Sequence, residues 1–188
     1  MNTILQKPSR FVPILLLALG ITLIAASVTL IFRQQDASSQ IELSAVPAQV
    51  NYPAPELTLL DVAGNSASFN DYRGQVVLVN LWATWCPPCK AEMPALEGFY
   101  REHKDNGFVI VAINDGDPTE DVIQFVEDYG LSFPVWLDPT YIATEQAFKT
   151  LNLPSSFVID RDGTIVLSWV GGINDRNLEK YVTPIIKQ

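Results

Sequence analysis

The sequence holds two cysteines, Cys86 and Cys89, with only Pro87 and Pro88 between them. Thiols at that spacing can pair with each other. A loop closed over so few residues restricts the unfolded chain very little, so stability explains the pair poorly. Exported proteins stapled by disulfides carry more cysteines at longer spacings. A zinc site takes about four ligands, whereas this chain adds one histidine and no third cysteine. No metal and no other cofactor is expected for this chain. The chemistry that fits is reversible thiol–disulfide exchange, in which a thiolate is the nucleophile.

That chemistry needs a helix entrance. Val76 to Trp82 is an apolar run rich in Val and Leu, the pattern of a central strand covered on both faces. A helix is expected from Pro87 to about Lys104, with Met93, Leu96, Phe99 or Tyr100, and His103 on its buried stripe and a kink at Pro94. Cys86 then falls at the N-cap, where unpaired amides and the helix dipole favour a thiolate. Cys89, one turn in, is placed to resolve a mixed disulfide. Pro87 and Pro88 have no N–H to offer the sulfur, which leaves Cys89 and Lys90 as donors. The thiolate is therefore stabilised less than in a motif with ordinary residues there, and the pair leans toward giving up electrons.

Further elements frame this unit. Leu57 to Leu60 and Ala67 to Phe69 read as short paired strands, and Phe108 to Ile113 as a second buried strand. Asp117-Pro118-Thr119-Glu120 has the form of a capping box. Its helix buries Val122, Phe125, Val126 and Tyr129 and ends at Gly130. Pro134 to Leu137 is a strand. Asp138-Pro139 opens a helix to about Thr150. Ser156 to Asp160 and Thr164 to Val170 flank a turn at Arg161-Asp162-Gly163, and Asn174 caps a last helix to about Ile185. A β–α–β core closed by a hairpin and a helix is an α/β mixed sheet with helices on both faces. His103 has no partner ligand near it in sequence and reads as a half-buried helix histidine.

Upstream, Phe11 to Phe32 is free of charge and long enough to cross a bilayer as a helix. A cleaved signal peptide has a shorter apolar core, so an uncleaved anchor is expected. Lys7 and Arg10 place the N-terminus in the cytoplasm and the rest outside. The expected organisation is a cytoplasmic stub and transmembrane anchor over 1–33, a flexible linker over 34–54 and a domain over 55–188. All 21 acidic residues follow Arg33, against nine of the basic ones, a net charge of −12 for the exported part. That excludes nucleic acid as a partner.

Trp-Ala-Thr-Trp-Cys-Pro-Pro-Cys-Lys-Ala-Glu-Met-Pro (82–94), Val111-Ala112-Ile113-Asn114, the segment Leu131 to Asp138 and Leu153-Pro154-Ser155-Ser156-Phe157-Val158-Ile159-Asp160 carry a family resemblance. From about Pro55 onward the chain resembles thioredoxin-fold proteins. More narrowly, it resembles the TlpA/ResA group of membrane-anchored reductases, which includes the CcmG proteins of cytochrome c maturation. The resemblance implies a thioredoxin-like sheet with a family-type central insertion at Leu131 to Asp138, and a cis bond at Leu153–Pro154 with Pro154 beside Cys86. It implies that the Leu153 backbone pairs with an extended substrate segment and that Trp85 shields the disulfide, with Pro87 also on the substrate side. Asn80 stands where thioredoxins keep a buried Asp that handles the Cys89 proton. Asp117 matches a proposed substitute, although the local sequence reads it as a helix cap. Glu92 matches a common family acid, although it also reads as a solvated residue of the first turns. The implied partners are disulfide-bearing exported proteins such as apocytochrome c or a copper-site maturation factor, a membrane thiol transporter as electron donor, and the bilayer. A peroxiredoxin-like thiol peroxidase and a copper chaperone are the alternatives on the same fold.

Overall fold

In the computed structural model, residues 46–188 are described. The expected anchor and most of the expected linker lie outside them. Among the described residues no helix is long and apolar enough to cross a membrane.

Eight strands form one mixed sheet: β1 (Ala48–Pro53), β2 (Thr58–Asp61), β3 (Ser66–Ser68), β4 (Val76–Trp82), β5 (Phe108–Asp115), β6 (Val135–Asp138), β7 (Ser155–Ile159) and β8 (Thr164–Val170), in the order β1-β8-β7-β4-β5-β6-β2-β3. The β4–β5 and β5–β6 pairs are parallel, and the others antiparallel. The long helices are α1 (Pro87–His103) and α2 (Thr119–Tyr129), and a final helical stretch runs from Asp175 to Ile186 with a wide turn at Leu178–Val182.

Strand β4 shows how the site is held. All seven of its residues are buried, and alternate side chains leave on opposite faces. Val76, Leu78 and Trp82 join Met93, Leu96 and Phe99 of α1, Val122 and Phe125 of α2, and Leu178, Val182 and Ile186 of the last stretch. Val77, Val79 and Leu81 join Val111, Trp136, Phe148 and Phe157 on the other side. Both crossovers, β4–α1–β5 and β5–α2–β6, step the same way across the sheet. Right-handed connections therefore put both helices on one face. The other face is covered by two short helical turns, Phe69–Tyr72 and Ala143–Ala147.

Several expectations need correcting. Ala48–Pro53 falls within the expected 34–54 linker, yet it is an edge strand paired with β8, so ordered structure begins before residue 55. The helix expected after Asp138-Pro139 shrinks to the turn Ala143–Ala147. Asp138 does accept the N–H groups of Ile142 and Ala143, at 3.0 and 2.6 Å, but Tyr141 and Lys149 adopt positive φ and bound the turn. Tyr129 is exposed, stacked on Phe125 with ring centroids 4.1 Å apart.

Candidate active site

Strand β4 ends at Trp82, and four residues later Cys86 is the N-cap of α1 in extended backbone, with Pro87 and Pro88 in the first turn. Proline suits that turn because its missing N–H has no helical partner there. Cys86 and Cys89 are bonded, with sulfurs 2.01 Å apart. The Cys89 N–H points at the Cys86 sulfur at 3.3 Å. The Lys90 N–H instead closes the first helical turn on the Cys86 carbonyl at 3.1 Å, so it is not the second sulfur donor the sequence suggested. Cys86 keeps 3% of its surface and Cys89 none, while neighbouring Trp85 is 67% exposed. Pro87 is exposed as well. Cys86 is therefore the outer residue of the pair, next in sequence to an exposed tryptophan.

The Leu153–Pro154 peptide is cis. Strand β7 pairs with β4 so that Ser155 faces Leu81, which brings the 153–154 loop to the end of the sheet from which Cys86 emerges. Pro154 is buried, and its carbonyl accepts the Gly171 N–H at 2.8 Å. Half-buried Leu153 packs against the cluster that contains both cysteines. Its backbone N–H and C=O make no hydrogen bond among the described residues.

Two acids sit close to this unit. Glu92, one turn beyond Cys89, is 2% exposed, which corrects the solvated reading. Its Oε1 accepts Asn80 Nδ2 at 2.8 Å and its Oε2 accepts the Ile173 N–H at 2.8 Å. Asn80 Nδ2 also donates to Ser156 Oγ at 3.0 Å. Burial outweighs these two donors and pushes the Glu92 carboxyl up to about 8, because desolvation penalises the charged form. Asp117 was expected to cap α2, but no side chain caps that helix, which begins at Thr119 behind Pro118. The Asp117 carboxylate turns back to accept the Thr84 N–H at 2.6 Å and Asn114 Nδ2 at 2.8 Å. It thus ties the start of α2 to the loop just before Cys86.

Sequence reasoning missed Ser156 and Ile173 as members of the Glu92 network. The helical period contained part of the signal, since Glu92 lies three positions after Cys89 beside buried Met93.

Fold and site together define a thioredoxin-like domain carrying a Cys-x-x-Cys disulfide at a helix N-terminus. The family model described as AhpC/TSA matches residues 50–168, and the chain belongs to that family. It is similar to a thiol-disulfide oxidoreductase ResA of Geobacillus kaustophilus, at 34% identity over 72% of this chain and 78% of that protein. Among solved structures it is similar to the thioredoxin domain of a thiol-disulfide oxidoreductase from Bacteroides vulgatus, with TM-score 0.66 and 27% identity over 74% of this chain and 99% of that one. It is also similar to a thiol:disulfide interchange protein of the thioredoxin family from Chlorobium tepidum, with TM-score 0.66 and 26% identity over 74% and 99%. The protein is a thiol–disulfide oxidoreductase acting on disulfide-bearing proteins.

Proposed function

We propose that this chain is a membrane-anchored reductase of exported protein disulfides, with apocytochrome c as its leading client. In the reduced protein the Cys86 thiolate attacks a client sulfur. The client S–S bond breaks, and its leaving thiolate takes up a proton. Cys89 then loses its proton and attacks Cys86, releasing the second client thiol. Two electrons pass to the client, and Cys86–Cys89 ends as a disulfide. A membrane thiol transporter returns the electrons.

Each neighbour has a part in this reading. Trp85 and Pro87 form the exposed surface the client meets. The free N–H and C=O of Leu153 pair with an extended client segment, as an added strand would, and Pro154 sets the floor of that track. Glu92, buried one turn past Cys89 with its carboxyl near 8, titrates in the range useful for proton transfer at neutral pH. Asp117 holds the Thr84 N–H and is the second proton-transfer candidate. The uncharged stretch from Phe11 to Phe32 behind Lys7 and Arg10 supports a single-pass anchor with the domain outside the cytoplasm.

The observation that carries the reading is the Cys86–Cys89 bond at the entrance of α1, with Cys86 the less buried residue of the two. A peroxidase needs an arginine beside its cysteine, and three of the four arginines among the described residues, all but exposed Arg176, are committed elsewhere. Arg101 bonds Glu97, Arg73 bonds Asn70 and Arg161 bonds main-chain carbonyls. The test is trapping in cells with Cys89→Ala. Apocytochrome c held on Cys86 supports the client assignment. Capture of other exported proteins with no cytochrome among them rejects it. Peroxide turnover faster than disulfide reduction by the wild-type chain rejects the reductase itself.

A further inference from the structure

The C-terminal end of α1 holds a second group of side chains suited to chemistry. It lies about 25 Å from the disulfide along a helix rising about 1.5 Å per residue. His103 is the sequence's one histidine. Its side chain is 10% exposed, and its Nε2 is buried with no hydrogen-bond partner. A buried polar atom without a partner costs free energy and calls for an explanation. The last helical stretch supplies a neighbour that sequence distance had hidden: Glu179 Oε1 lies 3.6 Å from His103 Nε2. That is too long for a hydrogen bond. It does fit two ligands of one tetrahedral ion, which lie about 3.4 Å apart when each is about 2.1 Å from the metal.

We propose that His103, Glu179 and Glu102 form a binding site for a zinc-class divalent cation that fastens the final helical stretch to the end of α1. One ligand atom from each of the three lies within 4.8 Å of the others. Exposed Glu102 closes the remaining gap by a side-chain rotation. The other oxygen of Glu179 accepts Thr183 Oγ1 at 2.9 Å, which fixes the carboxylate with Oε1 turned to the histidine. Such outer support is a usual feature of metal sites. An open cleft of about 490 Å³ lined by Glu102, His103, Asn106, Ile186 and Lys187 adjoins the group. Lys187 is exposed there, on a side chain long enough to leave the ion room. The carbonyl end of α1 and the chain's acidic balance both favour a cation at this position. One imidazole with two carboxylates is a nitrogen–oxygen set that suits zinc better than calcium or magnesium.

The test uses the full-length, tag-free chain in detergent, oxidised so that the Cys86 and Cys89 thiolates cannot bind metal. Zinc chloride is titrated while binding heat and the ring resonances of the single histidine are recorded. The expected result is one zinc per chain, with the His103 ring signal moving to a new position that saturates at one equivalent. Glu179→Gln should weaken binding by about tenfold or more, whereas Glu120→Gln on exposed α2 should change nothing. Both carboxamides preserve size, so the fold is retained. A histidine signal that ignores zinc overturns the proposal, as does a Glu179→Gln chain that binds like the wild type. His103→Phe, which fills the space beside Phe99 and Phe108, should abolish the one-equivalent site, and its survival in that variant also overturns the proposal.

Discussion

Replacing Pro88 with alanine restores a backbone N–H at the second helical position of α1, one of the two that ordinarily serve an N-cap acceptor. In the native chain the Cys86 sulfur receives the Cys89 N–H at 3.3 Å. Lys90 is spent on the Cys86 carbonyl, and neither proline can donate. A new N–H directed at the Cys86 thiolate is a hydrogen bond to a charged group, worth at most about 1.5–3 kcal/mol net. It stabilises only the reduced, ionised protein. With 1.4 kcal/mol equal to about 30 mV for a two-electron couple, the reduction potential should rise by up to about 30–60 mV. The full rise appears only above the pH at which the thiol ionises, and a smaller one at pH 7. The assay equilibrates wild type and Pro88→Ala with dithiothreitol buffers at pH 7 and pH 9 and reads tryptophan fluorescence. The pH midpoint of thiolate absorbance should also move down. An unchanged or lowered potential at pH 9 would refute the donor-count argument. A wild-type potential as high as about −120 mV, that of strong oxidants, would refute its claim that the diproline pair leans toward giving up electrons.

Three other substitutions test separate parts of the site. Glu92 has an ordinary value of 4.5 and is raised by burial to about 8. Between those limits the native state holds a proton that the unfolded chain has lost, so stability should fall as pH rises from about 4.5 to about 8 and level off beyond. The total is on the order of a few kcal/mol. Glu92→Gln should erase that slope in urea titrations, and should slow release of a trapped client about a hundredfold if the carboxylate moves the Cys89 proton. Asp117→Ala leaves the Thr84 N–H and the Asn114 amide without their acceptor. It should cost about 1–3 kcal/mol in urea unfolding and speed hydrogen exchange at Thr84, an effect a helix cap would not produce. Arg161→Ala removes bonds to the carbonyls of Gly74, Asn106, Gly107 and Ile186. It should lower stability by about 2–3 kcal/mol while leaving the reduction potential unchanged.

What the sequence disclosed follows from how local each signal is. Strand β4 and strand β8 match their expected limits because each is set by a continuous local pattern with a turn at its end. The N-cap placement of Cys86 likewise follows from a buried strand meeting a proline-led helix. Strand β1 escaped because its residues are mostly exposed and show no clear apolar alternation, and it is held largely by backbone pairing with β8. Asp117 has the chemistry of a cap, and local sequence does not show that its carboxylate turns to Thr84, 33 positions upstream. Glu92 looks like a favourable charge in a first turn until β4 is placed against it with Asn80 on the facing side. His103 acquires Glu179 only because the last helical stretch returns to α1. In each case the missing information was a contact between distant segments.

The most direct measurement mixes the reduced full-length chain with insulin and follows the products by mass spectrometry. The account predicts that each chain passes two electrons and finishes with Cys86 bonded to Cys89, and that Cys89→Ala stops at a single adduct on Cys86. An adduct formed on Cys89 instead, or insulin left intact while the pair stays reduced, would contradict it.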